Sequence, residues 1–311
     1  MISHPCVKVN LGLNVLRKRE DSYHELETLF LPYPLIHDTL EIIRADAYSE
    51  TSAELFAKYS GPEDDGRIRQ AIREDGKLMI TIAREEGVDW DPLNDLSARA
   101  YALLDNDFNL PPVKIFLEKT SPVGAGLGGG SADAAYALRM LSELFELGLD
   151  DAILASYAAR LGSDCAFFIY RRPMIGEGRG EILTPYDELD WHCPDDSVPL
   201  KAGAFPALEG LELRVHVPEG IAVSTREAYG GIVPRDRSDK VLLPLREALA
   251  LPVEAWKDAL VNDFEATVFK LHPELAAIKR RLYEEGAVYA SMSGSGSALF
   301  SLQRPQGKKI N

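Results

Sequence analysis

The chain has 311 residues, 46% of them hydrophobic and 27% charged, a balance that suits a globular protein with one large domain or two of ordinary size. Its 34 basic residues stand against 49 acidic ones, for a formal charge of −15, so no basic footprint for nucleic acid or an anionic membrane is expected. A local site for an anionic small molecule remains compatible with that charge.

Residues Met1 to Leu16 include Lys8, Asn10 and Asn14, which rules out reading them as a signal peptide. From Val7 to Val15 the chain alternates: Val7, Val9, Leu11, Leu13 and Val15 face one way and Lys8, Asn10, Gly12 and Asn14 the other, which predicts a strand with one apolar face. Further strands are expected over Leu26–Leu31, Thr39–Ile43 and Leu78–Ala83, with a charged, partly helical insertion from about Ser49 to Gly76. A short helix over Leu96–Leu104 and a strand over Val113–Glu118 follow. Next comes an amphipathic helix from Ser131 to Leu147, with Ala134, Ala135, Leu138, Leu141, Leu144 and Phe145 on one stripe. A second helix, Asp151–Leu161, leads to Asp164 and the apolar run Cys165–Tyr170.

The stretch Thr184–Gly210 reads as a connection into a second domain. Beyond it a strand over Leu211–Val217, helices over Trp256–Lys270 and Pro273–Glu285, and strands over Val288–Met292 and Ala298–Leu302 are expected. Strands and helices mix without regular βαβ alternation, which points to an α+β fold. No apolar run reaches the roughly 18–20 residues needed to span a bilayer. Cys6, Cys165 and Cys193 are scattered, with no spacing for a metal cage, and a reducing cytoplasm fits them best.

The segment between the Val113–Glu118 strand and the next helix holds five glycines in seven residues, Gly124 to Gly130. Such a loop turns tightly and brings backbone N–H groups close to a ligand, and the start of a helix is an anion site. A Walker A loop would need a lysine where Ser131 follows Gly130. The dinucleotide pattern matches at Gly124, Gly126 and Gly129, but a second helix follows where a parallel strand should be. A protein-kinase loop would join two strands and needs partners that are absent. The plain alternative is a flexible linker.

Pro122, Val123, Gly124, Ala125, Gly126, Leu127, Gly128, Gly129, Gly130, Ser131 and Ala132 together resemble the nucleotide loop of the GHMP kinase superfamily. The strand around Lys8 resembles that superfamily's first motif. Ser291-Met-Ser-Gly294-Ser295-Gly296-Ser-Ala298 resembles its third, a glycine turn that supports the phosphate loop. Within the superfamily, Lys8-Val-Asn10-Leu-Gly-Leu-Asn14, Asp21-Ser-Tyr23-His24, Leu161-Gly-Ser-Asp164 and Gly176-Glu-Gly-Arg-Gly-Glu-Ile-Leu183 look like the 4-diphosphocytidyl-2-C-methyl-D-erythritol kinase family of the non-mevalonate isoprenoid pathway.

The resemblance implies two domains, a ribosomal protein S5 domain 2-like nucleotide domain (1–184) and a ferredoxin-like domain (185–311), with the active site between them. It implies transfer of the γ-phosphoryl group of ATP, with Mg²⁺, to the 2-hydroxyl of a cytidine-diphosphate-linked methylerythritol. Lys8 and Asp164 fall on the catalytic positions, and the loop from Pro122 to Ala132 on the ATP site. Asn10, Tyr23, His24 and Tyr229 fall on the acceptor site. Asn94 and Asp95 lie near the adenine, where Asp95 holds a slot the family fills with Asn. Without the resemblance, Lys8 reads as a solvated strand lysine, Asp164 as a turn residue, Tyr23 and His24 as the end of a hairpin and Tyr229 as ordinary packing. Another GHMP kinase, for homoserine or mevalonate, and a non-catalytic nucleotide-binding module are the alternatives. The Asp21-x-Tyr23-His24 segment argues against the first, and Lys8 with Asp164 against the second.

Overall fold

The computed structural model describes residues 1–21, 23–49, 51–60, 65–192, 205–234 and 243–305. Cys193 and residues 193–204 of the expected connection lie outside them. The chain opens with β1 (Ile2–Ser3), β2 (Cys6–Lys18), β3 (His24–His37), β4 (Thr39–Arg44) and α1 (Thr51–Tyr59). Next come β5 (Ile68–Ile72), β6 (Leu78–Ala83), α2 (Leu96–Phe108) and β7 (Val113–Glu118). The helices α3 (Gly129–Leu144), α4 (Asp151–Leu161) and α5 (Cys165–Tyr170) follow, then β8 (Met174–Gly178), β9 (Ile182–Pro185), β10 (Trp191–His192), β11 (Ala207–Leu208) and β12 (Leu211–His216). The remainder is α6 (Thr225–Gly230), α7 (Leu245–Leu249), α8 (Trp256–Ala259), α9 (Glu265–Leu271), α10 (Pro273–Glu284), β13 (Tyr289–Met292) and β14 (Leu299–Gln303).

These strands form three sheets, in the orders β1-β4-β7-β6-β5, β2-β3-β8-β9 and β10-β11-β12-β14-β13. The first is antiparallel except where β6 runs parallel to β7. Leu40, Ile42, Ile80 and Ile115 of this sheet bury against Leu104 of α2, Leu138 and Leu141 of α3 and Phe167 of α5, in one continuous core.

The second sheet is built on the β2–β3 hairpin, whose register slips at Cys6/Val7, Leu11/Leu13 and Val15/Arg17. Such slips bend a long ribbon so that it can follow a curved core. The ribbon's apolar side joins the two halves of the chain: Val7, Val9, Leu11, Leu29 and Leu31 pack in one cluster with Leu213, Trp256, Tyr289 and Phe300.

The structure corrects several expectations. The polar side of β2 is buried too, with Lys8, Asn10 and Asn14 exposed by only 2%, 2% and 4%. Period two marks the faces of a strand but says nothing about what covers them. Ser131 does not cap α3, which starts two residues earlier behind Gly128 and ends at Leu144. The helix expected over Trp256–Lys270 is split into α8 and α9. Between them Leu13 N donates to Val261 O and Asp263 N to Leu13 O, both at 2.9 Å, so the backbone serves β2 instead of a helix. The charged insertion holds α1 but also β5, an edge strand paired with β6. Strands β8 and β9 and helices α6 and α7 were not expected.

Candidate active site

The loop from Pro122 to Gly128 separates two cavities. The larger, of about 730 Å³, is lined by Lys8, Asn10, Tyr23, His24, Asp164 and Tyr229, with Gly124, Gly126, Gly128, Gly294 and Ser295 along one wall. The smaller, of about 320 Å³, is lined by Trp90, Asp95, Leu96 and Lys119 and by the loop itself from Pro122 to Ser131, Leu127 excepted. Gly124, Gly126 and Gly128 face both. Leu127 and Ala132 are turned into the core, fully buried. Asn94 lies in a 3₁₀ turn, Pro92–Asn94, and lines neither cavity.

Lys8 is carried on β2 under this loop. Its Nζ donates to Asn10 Oδ1 at 2.5 Å and to Gly126 O at 2.8 Å, and lies 3.5 Å from Asp164 Oδ2. Burial lowers the pKa of Lys8, while the Asp164 carboxylate pulls it back up. Asn10 is held in turn, donating from Nδ2 to Thr28 Oγ1, and Thr28 donates to Gly12 O. Asp164 stands at the start of α5, a third exposed, so the pair joins a buried cation to a carboxylate that reaches the cavity.

The glycine turn between β13 and β14 backs the loop. Ser293 Oγ donates to Gly126 O at 3.2 Å, and Ala298 N to Ala125 O at 3.1 Å. Asn262 clasps the turn from the other side, its Nδ2 donating to Met292 O and Gly294 O at 2.8 Å each. Gly296 packs over Met292 and lines neither cavity.

Lys119, on the smaller cavity, anchors a buried cluster. Its Nζ donates to Asp38 Oδ2 at 2.5 Å, Asp133 Oδ2 at 2.7 Å and Ser121 Oγ at 3.1 Å. Asp38 also receives the N–H groups of Thr120 and Ser121 at 2.7 Å each, which pins the chain entering the glycine loop. Asp95 caps α2 by accepting from Ser97 N, and its other oxygen accepts from Trp90 Nε1 at 3.3 Å.

At the far end of the large cavity the rings of His24 and Tyr229 stack with centroids 4.8 Å apart. Burial, helped by the Asp164 charge, raises the pKa of Tyr229 to about 12, and burial lowers that of His24. Tyr23 is largely exposed, and the Arg179 guanidinium lies 5.1 Å from its ring centroid. Sequence reasoning missed Trp90, Lys119, Arg179 and Arg226 as lining residues. Arg179 sits inside the quoted 176–183 segment, whereas nothing local marks the other three.

A metal cage is not among the possibilities that the described residues offer, since no three His, Cys, Asp or Glu side chains come together. Mg²⁺ asks for less: with nucleotide it takes phosphate oxygens, waters and one or two protein oxygens. The lining residues offer such oxygens on each side of the loop, Asp164 in the larger cavity and the hydroxyl of Ser131 in the smaller.

Two family models match, GHMP kinases N terminal domain over residues 95–172 and GHMP kinases C terminal over 245–309. The chain is 41% identical over 310 residues to a 4-diphosphocytidyl-2-C-methyl-D-erythritol kinase of Bacteroides fragilis, covering 99% of this chain and 94% of that one. The enzyme of the same name from Porphyromonas gingivalis is 37% identical, with 98% and 94% covered. A crystal structure of 4-(cytidine 5'-diphospho)-2C-methyl-D-erythritol kinase superposes with a TM-score of 0.64 at 31% identity, over 97% of this chain and 90% of that one. A mevalonate kinase structure, at 14% identity and a TM-score of 0.58, shares the fold.

Proposed function

The chain belongs to the GHMP kinases and, within them, to the 4-diphosphocytidyl-2-C-methyl-D-erythritol kinase family, and on that footing we propose how its two cavities divide the work. It is an ATP-dependent kinase that phosphorylates the 2-hydroxyl of 4-diphosphocytidyl-2-C-methyl-D-erythritol in non-mevalonate isoprenoid biosynthesis. The smaller cavity takes the adenosine end of ATP, beside Trp90 and Asp95. The triphosphate follows the glycine loop into the larger cavity, which holds the acceptor. One observation carries this division: Lys8 and Asp164, 3.5 Å apart, sit where the loop's Gly126 and Gly128 face both spaces.

Phosphoryl transfer has a loose transition state, so positioning and charge stabilisation dominate. Asp164 holds the acceptor hydroxyl by its proton and receives that proton as the new bond forms. Lys8 holds the Asp164 carboxylate in place and offsets charge on the transferring group. When bound, Mg²⁺ would neutralise phosphate charge, and Ser131 or Asp164 would hold it. Tyr23, His24 and Tyr229 receive the cytosine: His24 offers a ring nitrogen to the base edge and Tyr23 an exposed face for stacking. Residues 1–184 carry the ATP side and residues 185–311 add Tyr229 and the supporting turn at Gly294–Gly296.

No described helix is long and apolar enough to cross a membrane. The test is a panel of hydroxyl acceptors with ATP and Mg²⁺, read by ADP release. The cytidine-diphosphate-linked methylerythritol should be turned over and homoserine and mevalonate ignored. A preference for either of those would overturn the assignment.

A further inference from the structure

Among the described residues that line the larger cavity, three cations face a single carboxylate: Lys8, Arg179 and Arg226 against Asp164. That is an inversion on a chain of net charge −15. Lys8 and Asp164 engage each other beneath the loop. The two guanidinium groups are not tied to Asp164, and they come from different elements, the β8–β9 turn and α6.

Arg179 occupies the tight turn between β8 and β9, between Gly178 (φ +71°) and Gly180 (φ +109°). Glu181 fixes its stem, accepting from the Arg179 backbone N–H at 2.5 Å and from Nε at 3.3 Å. A guanidinium has five N–H donors, so four are free of that tie. Asp21, which also feels the Arg179 charge, is already paired with Arg19 at 3.1 Å. The turn reaches both ends of the cavity. On one side the guanidinium lies 5.1 Å from the Tyr23 ring centroid, and on the other a Cβ on Gly180 would stand 3.8 Å from Asp164 Oδ1.

Arg226 lies in the first turn of α6, on the helix that also presents Tyr229. The neighbouring carboxylate, Glu227, is consumed by a capping box with Ser224, at 2.9 and 3.2 Å. Arg226 makes no ion pair among the described residues.

We propose that Arg179 and Arg226 clamp the diphosphate of the acceptor, one from the β8–β9 turn and one from α6. The proposal rests on the acceptor reading above. With cytosine at Tyr23, His24 and Tyr229 and the reacting hydroxyl at Asp164, the diphosphate must cross the space between. Arg179 stands at the Tyr23 end of that space, and Gly180 of the same turn at the Asp164 end. A planar guanidinium matches two phosphate oxygens at once, and such charge-assisted bonds are the stronger kind. The clamp makes the enzyme select the diphosphate linkage, and not merely the base.

The test compares cytidine, CMP and CDP by calorimetry on the wild-type chain and on Arg179→Gln, Arg226→Gln and the double variant, with ATP KM measured alongside. Wild type should bind CDP more tightly than cytidine. In the double variant that preference should shrink by about tenfold or more, the order expected for losing charge-assisted bonds, while cytidine affinity and ATP KM hold. Arg226 is exposed, so Arg226→Gln alone gives a smaller loss of the same kind should the double variant fail to fold. A CDP preference unchanged in the variants overturns the clamp. So does a raised ATP KM with CDP binding intact, which would give the arginines to the γ-phosphate. Wild-type protein that binds neither CDP nor cytidine overturns the acceptor reading itself, before any variant is compared.

Discussion

The carbonyl oxygen of Ser293 fills the space that a Cβ on Gly126 would need. The glycine at 126 therefore answers to the supporting turn, not only to a nucleotide. Gly124 has the same left-handed backbone, φ +73° against +77°, yet a Cβ there would meet nothing within 4 Å. Gly126→Ala should displace the loop, weakening ATP binding and lowering the melting temperature together. Gly124→Ala should cost only the backbone strain, about 1–2 kcal/mol, unless ATP itself needs that space. Calorimetric titration with ATP and thermal melting on both variants separate packing from ligand contact.

Lys8 and Asp164 should behave as one unit. Lys8→Met should lower kcat about a hundredfold or more, the size of losing a preorganised electrostatic partner, with ATP binding retained. Asp164→Asn should do the same. A double-mutant cycle should be strongly non-additive, and additive losses in kcat would show that the two groups act apart.

The pH profile follows from the burial of Lys8. Burial disfavours the ammonium form, so its pKa lies below the ordinary 10.5. The charged form is needed for transfer and is present below that lowered pKa. As pH rises through it, kcat should fall, giving an alkaline limb that starts below 10.5. In Asp164→Asn the carboxylate no longer raises the Lys8 pKa, so the limb of the residual activity should move to still lower pH. A limb unmoved by that substitution would separate Lys8 from the alkaline loss.

Lys119 should matter for stability as well as for ATP. It is nearly buried between Asp38 and Asp133, which are fully so. Removing one member of such a set leaves buried charge uncompensated, at a cost of about 3–5 kcal/mol. Lys119→Met should show that loss in denaturant unfolding, and adding Asp38→Asn, which removes the paired charge but keeps an oxygen to accept from Thr120 and Ser121, should recover part of it. Equal stability of the single and double variants would contradict a charge origin.

His24→Ala should raise acceptor KM by the cost of an unpaired base edge, about 1–3 kcal/mol, and leave ATP KM near wild type. Steady-state kinetics with each substrate varied in turn checks this. A rise confined to ATP would place His24 on the wrong cavity.

The glycine loop was readable because five glycines between a strand and a helix have few other uses, and Lys8 and Asp164 because they stand in the motifs around it. What covers a surface was not readable. Lys8, Asn10 and Asn14 alternate as a solvated face would, and only the packing of residues far along the chain buries them. The break after α8 was hidden for a related reason. Trp256–Lys270 has helical content throughout, but Leu13 claims the backbone of Val261 and Asp263 from a distance. The Asp38–Lys119–Asp133 cluster joins three separate segments, so no window of sequence contains it.

Within the first 184 residues the apolar side of β2 and β3 packs only with Ala125, Leu127, Ile175 and its own hairpin; the rest of its cover comes from residues further on, among them Leu213, Trp256, Tyr289 and Phe300. Folding is therefore not modular. A piece ending near residue 184 would bare Val7, Val9, Leu11, Leu29 and Leu31 as a hydrophobic ribbon edged by an open hairpin, a surface that invites self-association. The division into a nucleotide side and an acceptor side describes chemistry. For the purpose of cooperativity the chain is a single body, and a substitution in the far half weakens the floor beneath the lysine.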